Sequence, residues 1–153
     1  MQNEIELKLQ STPATLQKVV ASRYVRKLKA GKTVSQNLVC TYFDTPHHTL
    51  RQAGITLCIR RDGDGYEQTI KAPVTGPTGL TATREWRGRV PFNLPCVEAI
   101  EDRELRAILK QGKRDKRLVP MFTTDVERRT VPLKIDGSKH ALALDVGTIS
   151  AKD

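Results

Sequence analysis

Glu4-Ile5-Glu6-Leu7-Lys8-Leu9 alternates charged side chains with branched hydrocarbon in strict period two. In an extended chain, residues two apart point the same way and lie about 6–7 Å from each other. Glu4, Glu6 and Lys8 therefore share one face of a predicted strand, and Ile5, Leu7 and Leu9 share the other. Two carboxylates at that spacing can address one divalent cation, and the lysine beside them an anion. A half-buried surface strand alternates in the same way, so the hexapeptide alone leaves two readings open, a solvated strand face or the lining of an enclosed polar channel.

Outward from this stretch, Thr12 reads as a helix N-cap with Pro13 at the first helical position. Leu16, Val19, Val20, Tyr24 and Leu28 recur at helical spacing, predicting one amphipathic helix that ends near Gly31. Lys18, Arg23, Arg26, Lys27 and Lys29 occupy its other face, read as solvated rather than as a nucleic-acid patch. Leu38 to Phe43 predicts a strand, and Thr45-Pro46 opens a short helix closed by Gly54. The clearest hairpin joins Ile55–Arg61 to Tyr66–Lys71 through Asp62-Gly63-Asp64-Gly65, whose glycines supply the positive φ of a tight turn. Pro73 to Gly79 reads as a loop, Leu80 to Val90 as a strand and Cys96 to Leu109 as a helix; Met121–Ile135 and Ala141–Ile149 are strands joined at Asp136-Gly137. His47, His48 and His140 have no third ligand at metal-binding spacing and read as surface residues. This order of elements fits a closed or nearly closed β-barrel, or an open α+β sheet.

The 153 residues fit one domain that buries roughly two thirds of its unfolded surface. Hydrophobic content of 38% and aromatic content of 5% are low for a solid core, which suits a solvated channel and equally an ordinary basic domain. A net charge of +9 favours a polyanionic partner, because excess Lys and Arg focus a potential that attracts phosphates. Cys40, Cys58 and Cys96 lack Cys-x-x-Cys spacing and are odd in number, so neither a zinc site nor a disulfide framework is expected, and a cytoplasmic location is the simplest. A secretory signal and a membrane-spanning apolar run of about 18 residues are not expected either.

Glu4-x-Glu6-x-Lys8 is followed in order by Tyr42-Phe43-Asp44-Thr45-Pro46 with Leu50, Gly54-Ile55-Thr56-Leu57-Cys58-Ile59-Arg60, and Thr69-Ile70-Lys71. Glu85, Phe122-Thr123-Thr124-Asp125 with Arg128, and Ala143-Leu144-Asp145-Val146-Gly147 complete the set. The series resembles the CYTH superfamily, the triphosphate tunnel metalloenzymes, and most nearly its bacterial inorganic triphosphatase branch. The resemblance implies one CYTH domain over residues 1–153, of class α+β, with an antiparallel β-barrel or tunnel flanked by helices. Its implied activity is metal-dependent hydrolysis of tripolyphosphate or a related triphosphate. By the same resemblance Glu4, Glu6 and Lys8 are catalytic, and Lys8, Arg60, Lys71 and Arg128 bind substrate; Arg87, which shares the parity of Glu85, is a further candidate cation for the substrate. Glu4, Glu6, Glu85 and Asp145 hold Mg²⁺ or Mn²⁺, hard cations suited to carboxylates.

Each lysine or arginine taken singly reads as a solvent-facing strand residue. Cys58 and Thr83 stand where the family commonly has arginine; Arg84 would replace the latter only by a change of register. Ala141 and Thr148 stand where acids are expected. The family's Glu-x-Glu-x-Glu strand after Asp145–Thr148 is not reached by Asp153, so a C-terminally truncated, incompletely closed barrel is expected, with possible self-association at an open edge. Two alternatives stay open: a non-catalytic module that binds polyphosphate or RNA, and an adenylate cyclase of the CYTH type acting on a nucleoside triphosphate. For the latter, no aromatic pair stands out as placed to stack on adenine.

Overall fold

The computed structural model of the chain describes residues 7–75, 81–103, 106–107, 109–110 and 118–151. Its elements in chain order are α1 (Pro13–Ala21), α2 (Arg23–Leu28), β1 (Val34–Asp44), α3 (Thr49–Gln52), β2 (Thr56–Asp62), β3 (Gly65–Thr75), β4 (Thr81–Val90), β5 (Val119–Ile135) and β6 (Ser138–Ala151). The strands form a six-stranded sheet in the order β4-β3-β2-β1-β5-β6. Among the described residues no pairing joins β4 to β6, so the α+β fold is present with the barrel incompletely closed, as expected. Residues gather into two compact units, one of Met1–Gln36 with Glu127–Val146, the other of Asn37–Val126 with Gly147–Asp153.

In the first unit, the single predicted helix is two. Ser22 adopts an extended backbone (φ −62°, ψ 144°) and its side chain accepts the Val25 N–H, capping α2 and resetting the helical phase. Tyr24, expected inward, is therefore 69% exposed, while Val25 is buried with Val131 and Leu144. Thr12 caps α1 as predicted, accepting the Thr15 N–H. The predicted first strand is not seen in its described part: residues 7–9 have no strand pairing, and Leu7 and Leu9 are 82% and 80% exposed. A strand needs a neighbour's backbone groups to persist, and no described residue supplies them there.

In the second unit, antiparallel registers divide the residues between two faces. Cys40↔Arg60 and Tyr42↔Cys58 join β1 to β2, Thr56↔Lys71 and Arg60↔Glu67 join β2 to β3, and Lys71↔Glu85 with Thr69↔Arg87 join β3 to β4. Because side chains alternate, Phe43, Leu57, Ile59, Ile70, Ala72 and Val90 share the opposite face. They pack against Leu50 of α3 and against Val97, Ile100 and Leu109 from the segment after β4. Burying each large apolar side chain contributes about 1.5–3 kcal/mol. Gln68 lies within this core, yet both ends of its amide are satisfied: it donates to the Cys96 carbonyl at 3.1 Å and accepts the Cys96 N–H at 2.8 Å. That pair fastens the covering segment to β3.

Two boundaries differ from the sequence reading. Pro73 lies inside β3, paired with Thr83, rather than opening a loop. The β2 pairing ends at Thr56↔Lys71, so the N–H that proline lacks is not missed by a neighbour on that side. The helix expected from Cys96 begins only at Arg103 among the described residues; Ile100 and Leu109 are nonetheless buried as expected.

Candidate functional site

The face of β2–β4 turned away from the core carries Thr56, Cys58 and Arg60, then Glu67, Thr69 and Lys71, then Glu85 and Arg87. Three of the predicted phosphate-binding cations and one predicted metal-binding acid thus stand on one sheet surface. Arg60 donates from Nη2 to Glu67 Oε1 at 2.8 Å. Lys71 Nζ lies 3.5 Å from Glu85 Oε2, and Arg87 donates from Nε to Glu85 Oε1 at 2.5 Å.

Glu85 is the electrostatic centre of this arrangement. Burial opposes its ionisation, but the Arg87 hydrogen bond and the Lys71 and Arg87 charges outweigh burial and hold its carboxyl below the usual glutamate range. The face thus carries preformed anion–cation pairs, with Arg60 held by Glu67 and both Lys71 and Arg87 by Glu85. Arg84, one residue out of phase, turns to the other side and meets Asp102 at 3.2 Å. It therefore adds nothing to this face, consistent with the parity argument. Glu67 was not among the sequence candidates, although the turn at Asp62–Gly65 fixes its pairing with Arg60.

The first unit holds a separate pair. Arg128 donates from Nε and Nη2 to the two oxygens of Asp145 at 2.8 and 2.7 Å, a bidentate fork between β5 and β6. Lys8 is exposed, and Glu4 and Glu6 lie outside the described residues. Both carboxylates nominated for metal within the described residues, Glu85 and Asp145, are engaged by arginine. Among the described residues no three His, Cys, Asp or Glu side chains come together to hold a metal ion.

Asp44, in the Tyr-Phe-Asp-Thr-Pro segment, has a structural role. Its buried carboxylate accepts the N–H groups of Thr45, Leu50 and Arg51 at 2.7, 2.9 and 3.0 Å, holding α3 against the end of β1. Next to it, Tyr42, His48, Arg51, Thr56 and Phe122 line a cavity of about 570 Å³. Tyr42 and Phe122 stack on each other there, with centroids 4.5 Å apart. No described helix is long and apolar enough to cross a membrane.

A CYTH domain profile matches residues 2–150, and the chain belongs to the CYTH family. It is 29% identical over 154 residues to an inorganic triphosphatase of Haemophilus influenzae, aligned over 99% of this chain and 42% of the relative, so it spans less than half that protein's length. The fold is similar to the crystal structure of a proposed adenylate cyclase from Bacillus halodurans, with a TM-score of 0.55, 15% identity, and coverage of 92% of this chain and 72% of that one.

Proposed function

We propose that the chain hydrolyses inorganic tripolyphosphate or a related linear triphosphate, and that the Arg60–Lys71–Arg87 face binds the phosphate chain. The observation that carries this reading is the shared strand face itself. Three cations stand on neighbouring strands, each in reach of a carboxylate that an anionic ligand can displace. Phosphoryl transfer requires mainly positioning and charge neutralisation, and these side chains supply both. The membership in the CYTH family and the similarity to an inorganic triphosphatase support the same substrate class.

The described carboxylates do not by themselves make a metal site, so Glu4 and Glu6 are the proposed ligands of Mg²⁺ or Mn²⁺, with Lys8 beside them. Such an ion, when bound, supplies charge neutralisation at phosphate oxygens. Arg60, Lys71 and Arg87 bind and orient the substrate, and Glu85 keeps Lys71 and Arg87 in place until the phosphate arrives.

Orthophosphate release from tripolyphosphate with Mg²⁺ or Mn²⁺ tests the reading, comparing the parent with Glu6→Ala and Lys71→Ala. Metal-dependent release that collapses in both variants is expected. Tight binding without release would leave a polyphosphate-binding module instead. A second reading, a nucleoside triphosphate as substrate, draws on the aromatic cavity, because Thr56 lines it and is paired with Lys71. Competition by ATP against tripolyphosphate discriminates between the two.

A further inference from the structure

Cys40 and Cys58 stand on the same face of neighbouring antiparallel strands. Cys40 is opposite Arg60 and Cys58 is opposite Tyr42, so the two cysteines are diagonal neighbours. Both are half-buried, and the Cys58 thiol hydrogen-bonds with Cys40. Arg60 and Lys71 are close enough to act on Cys58 electrostatically. Cys96 belongs to the other side of the sheet, where it packs against the core and is tied to Gln68. The chain therefore presents an isolated dithiol within a cationic surface, at a position where the family pattern has arginine.

We infer that Cys40 and Cys58 are a redox-active pair that a low-molecular-weight disulfide converts into a reversible cross-strand disulfide beside Arg60 and Lys71. In the first step the Cys40 thiolate attacks one sulfur of the oxidant, forming a mixed disulfide and releasing one small thiol. In the second, the Cys58 thiolate attacks the Cys40 sulfur and expels the other small thiol. Overall two S–H bonds are lost, one protein S–S bond forms, and the oxidant takes up both electrons and both protons.

The order of attack follows from the local electrostatics. Cys58 is the proton-holding member, because its hydrogen bond to Cys40, burial and the charge on Cys40 all push its thiol up. Once Cys40 is capped, the charge that resisted ionisation of Cys58 is gone, while Lys71 and Arg60 still favour the thiolate. Capping the first thiol thus activates the second. Diagonal strand neighbours sit about 7–8 Å apart at Cα, beyond the roughly 4.4–6.8 Å that a disulfide usually spans, so the link forms only with a local shift of the two strands and is strained. The link is accordingly of the easily reduced, regulatory kind rather than a structural staple.

The test is intact-mass and peptide mass spectrometry of the full chain after incubation with oxidised glutathione. The expected product has lost two hydrogens, joins the peptides containing Cys40 and Cys58, leaves Cys96 as a thiol and reverts with a reductant. In Cys58→Ser a glutathione adduct should persist on Cys40, because nothing resolves it. Stable adducts on both Cys40 and Cys58 without a link, or a link through Cys96, would overturn the proposal. Saturating tripolyphosphate should slow the link by covering the face, an expectation that rests on the proposed function. A link forming at an unchanged rate would remove triphosphate from this face and leave the dithiol standing.

Discussion

Lys71 and Glu85 are direct cross-strand partners on β3 and β4, and the carboxylate that faces the lysine also takes the Arg87 guanidinium on its other oxygen. One acid thereby sets the positions of two cations on the same sheet surface. Pairs this exposed contribute little to stability, about 0–1 kcal/mol. The arrangement is better suited to holding cations ready for an anion than to holding the sheet together.

Lys71→Ala should therefore change binding far more than folding. Loss of one charge-assisted contact, worth about 1.5–3 kcal/mol, lowers tripolyphosphate affinity by roughly ten- to a hundredfold, while the unfolding midpoint barely moves. Calorimetric titration checks this, and Lys71→Arg should recover most of the affinity. Equal affinity in Lys71→Ala and the parent would place the binding elsewhere.

Glu85 should leave an acid signature. Its folded carboxyl is held below the ordinary glutamate value, so its contribution to stability is complete above the unfolded value and is lost as pH falls through the folded one. The stability difference between the parent and Glu85→Gln is then greatest near neutrality and fades below about pH 4. Denaturant unfolding at pH 7 and pH 3 measures it; a difference that grows with acid contradicts the pairing.

Asp44→Ala should be severe for a residue outside the proposed chemistry. Removing the carboxylate strands three backbone N–H groups, that of Thr45 after β1 and those of Leu50 and Arg51 at the start of α3, a loss of about 2–4 kcal/mol. Asn keeps one acceptor oxygen and should fall between. The shift in urea midpoint reads the effect, and a substitution without effect would show that Leu50 packing and the Thr45–Thr49 hydrogen bonds suffice to hold α3.

Gly147→Ala probes backbone proximity instead. A Cβ at this position would overlap the Asp125 carbonyl oxygen and come within 2.8 Å of the Val126 Cα, neither of which can rotate away. The strand must shift, at a cost of about 1–3 kcal/mol. Thermal unfolding of the variant should show a lowered midpoint; an unchanged one would mean that this approach of the backbones is looser in solution.

Much of the face was legible because strands have parity. Arg60 and Lys71 fall on one face once the Asp62–Gly65 turn is placed, and Arg87 shares the parity of Glu85 whereas Arg84 does not; the choice of Arg60, Lys71 and Glu85 as site residues came from the family resemblance, and the β3–β4 register that joins the two sets is fixed by no turn the sequence shows. Glu67 was equally derivable, since walking back from that turn brings it opposite Arg60. The break at Ser22 was hidden by apolar spacing that continues across it, and only the cap to Val25 reveals it. Pro73 misled because a proline signals a breaker unless one knows that its neighbour strand has already ended. The contact of Cys40 with Cys58 needed the β1–β2 register, which no turn in the sequence specifies.

Leu57 and Ile59 are almost wholly enclosed, whereas Cys58 and Arg60 between and beyond them look the other way. Adjacent codons in this strand therefore answer to different pressures. A substitution at Leu57 or Ile59 should therefore register in folding stability, and one at Cys58 or Arg60 in the chemistry of the open face.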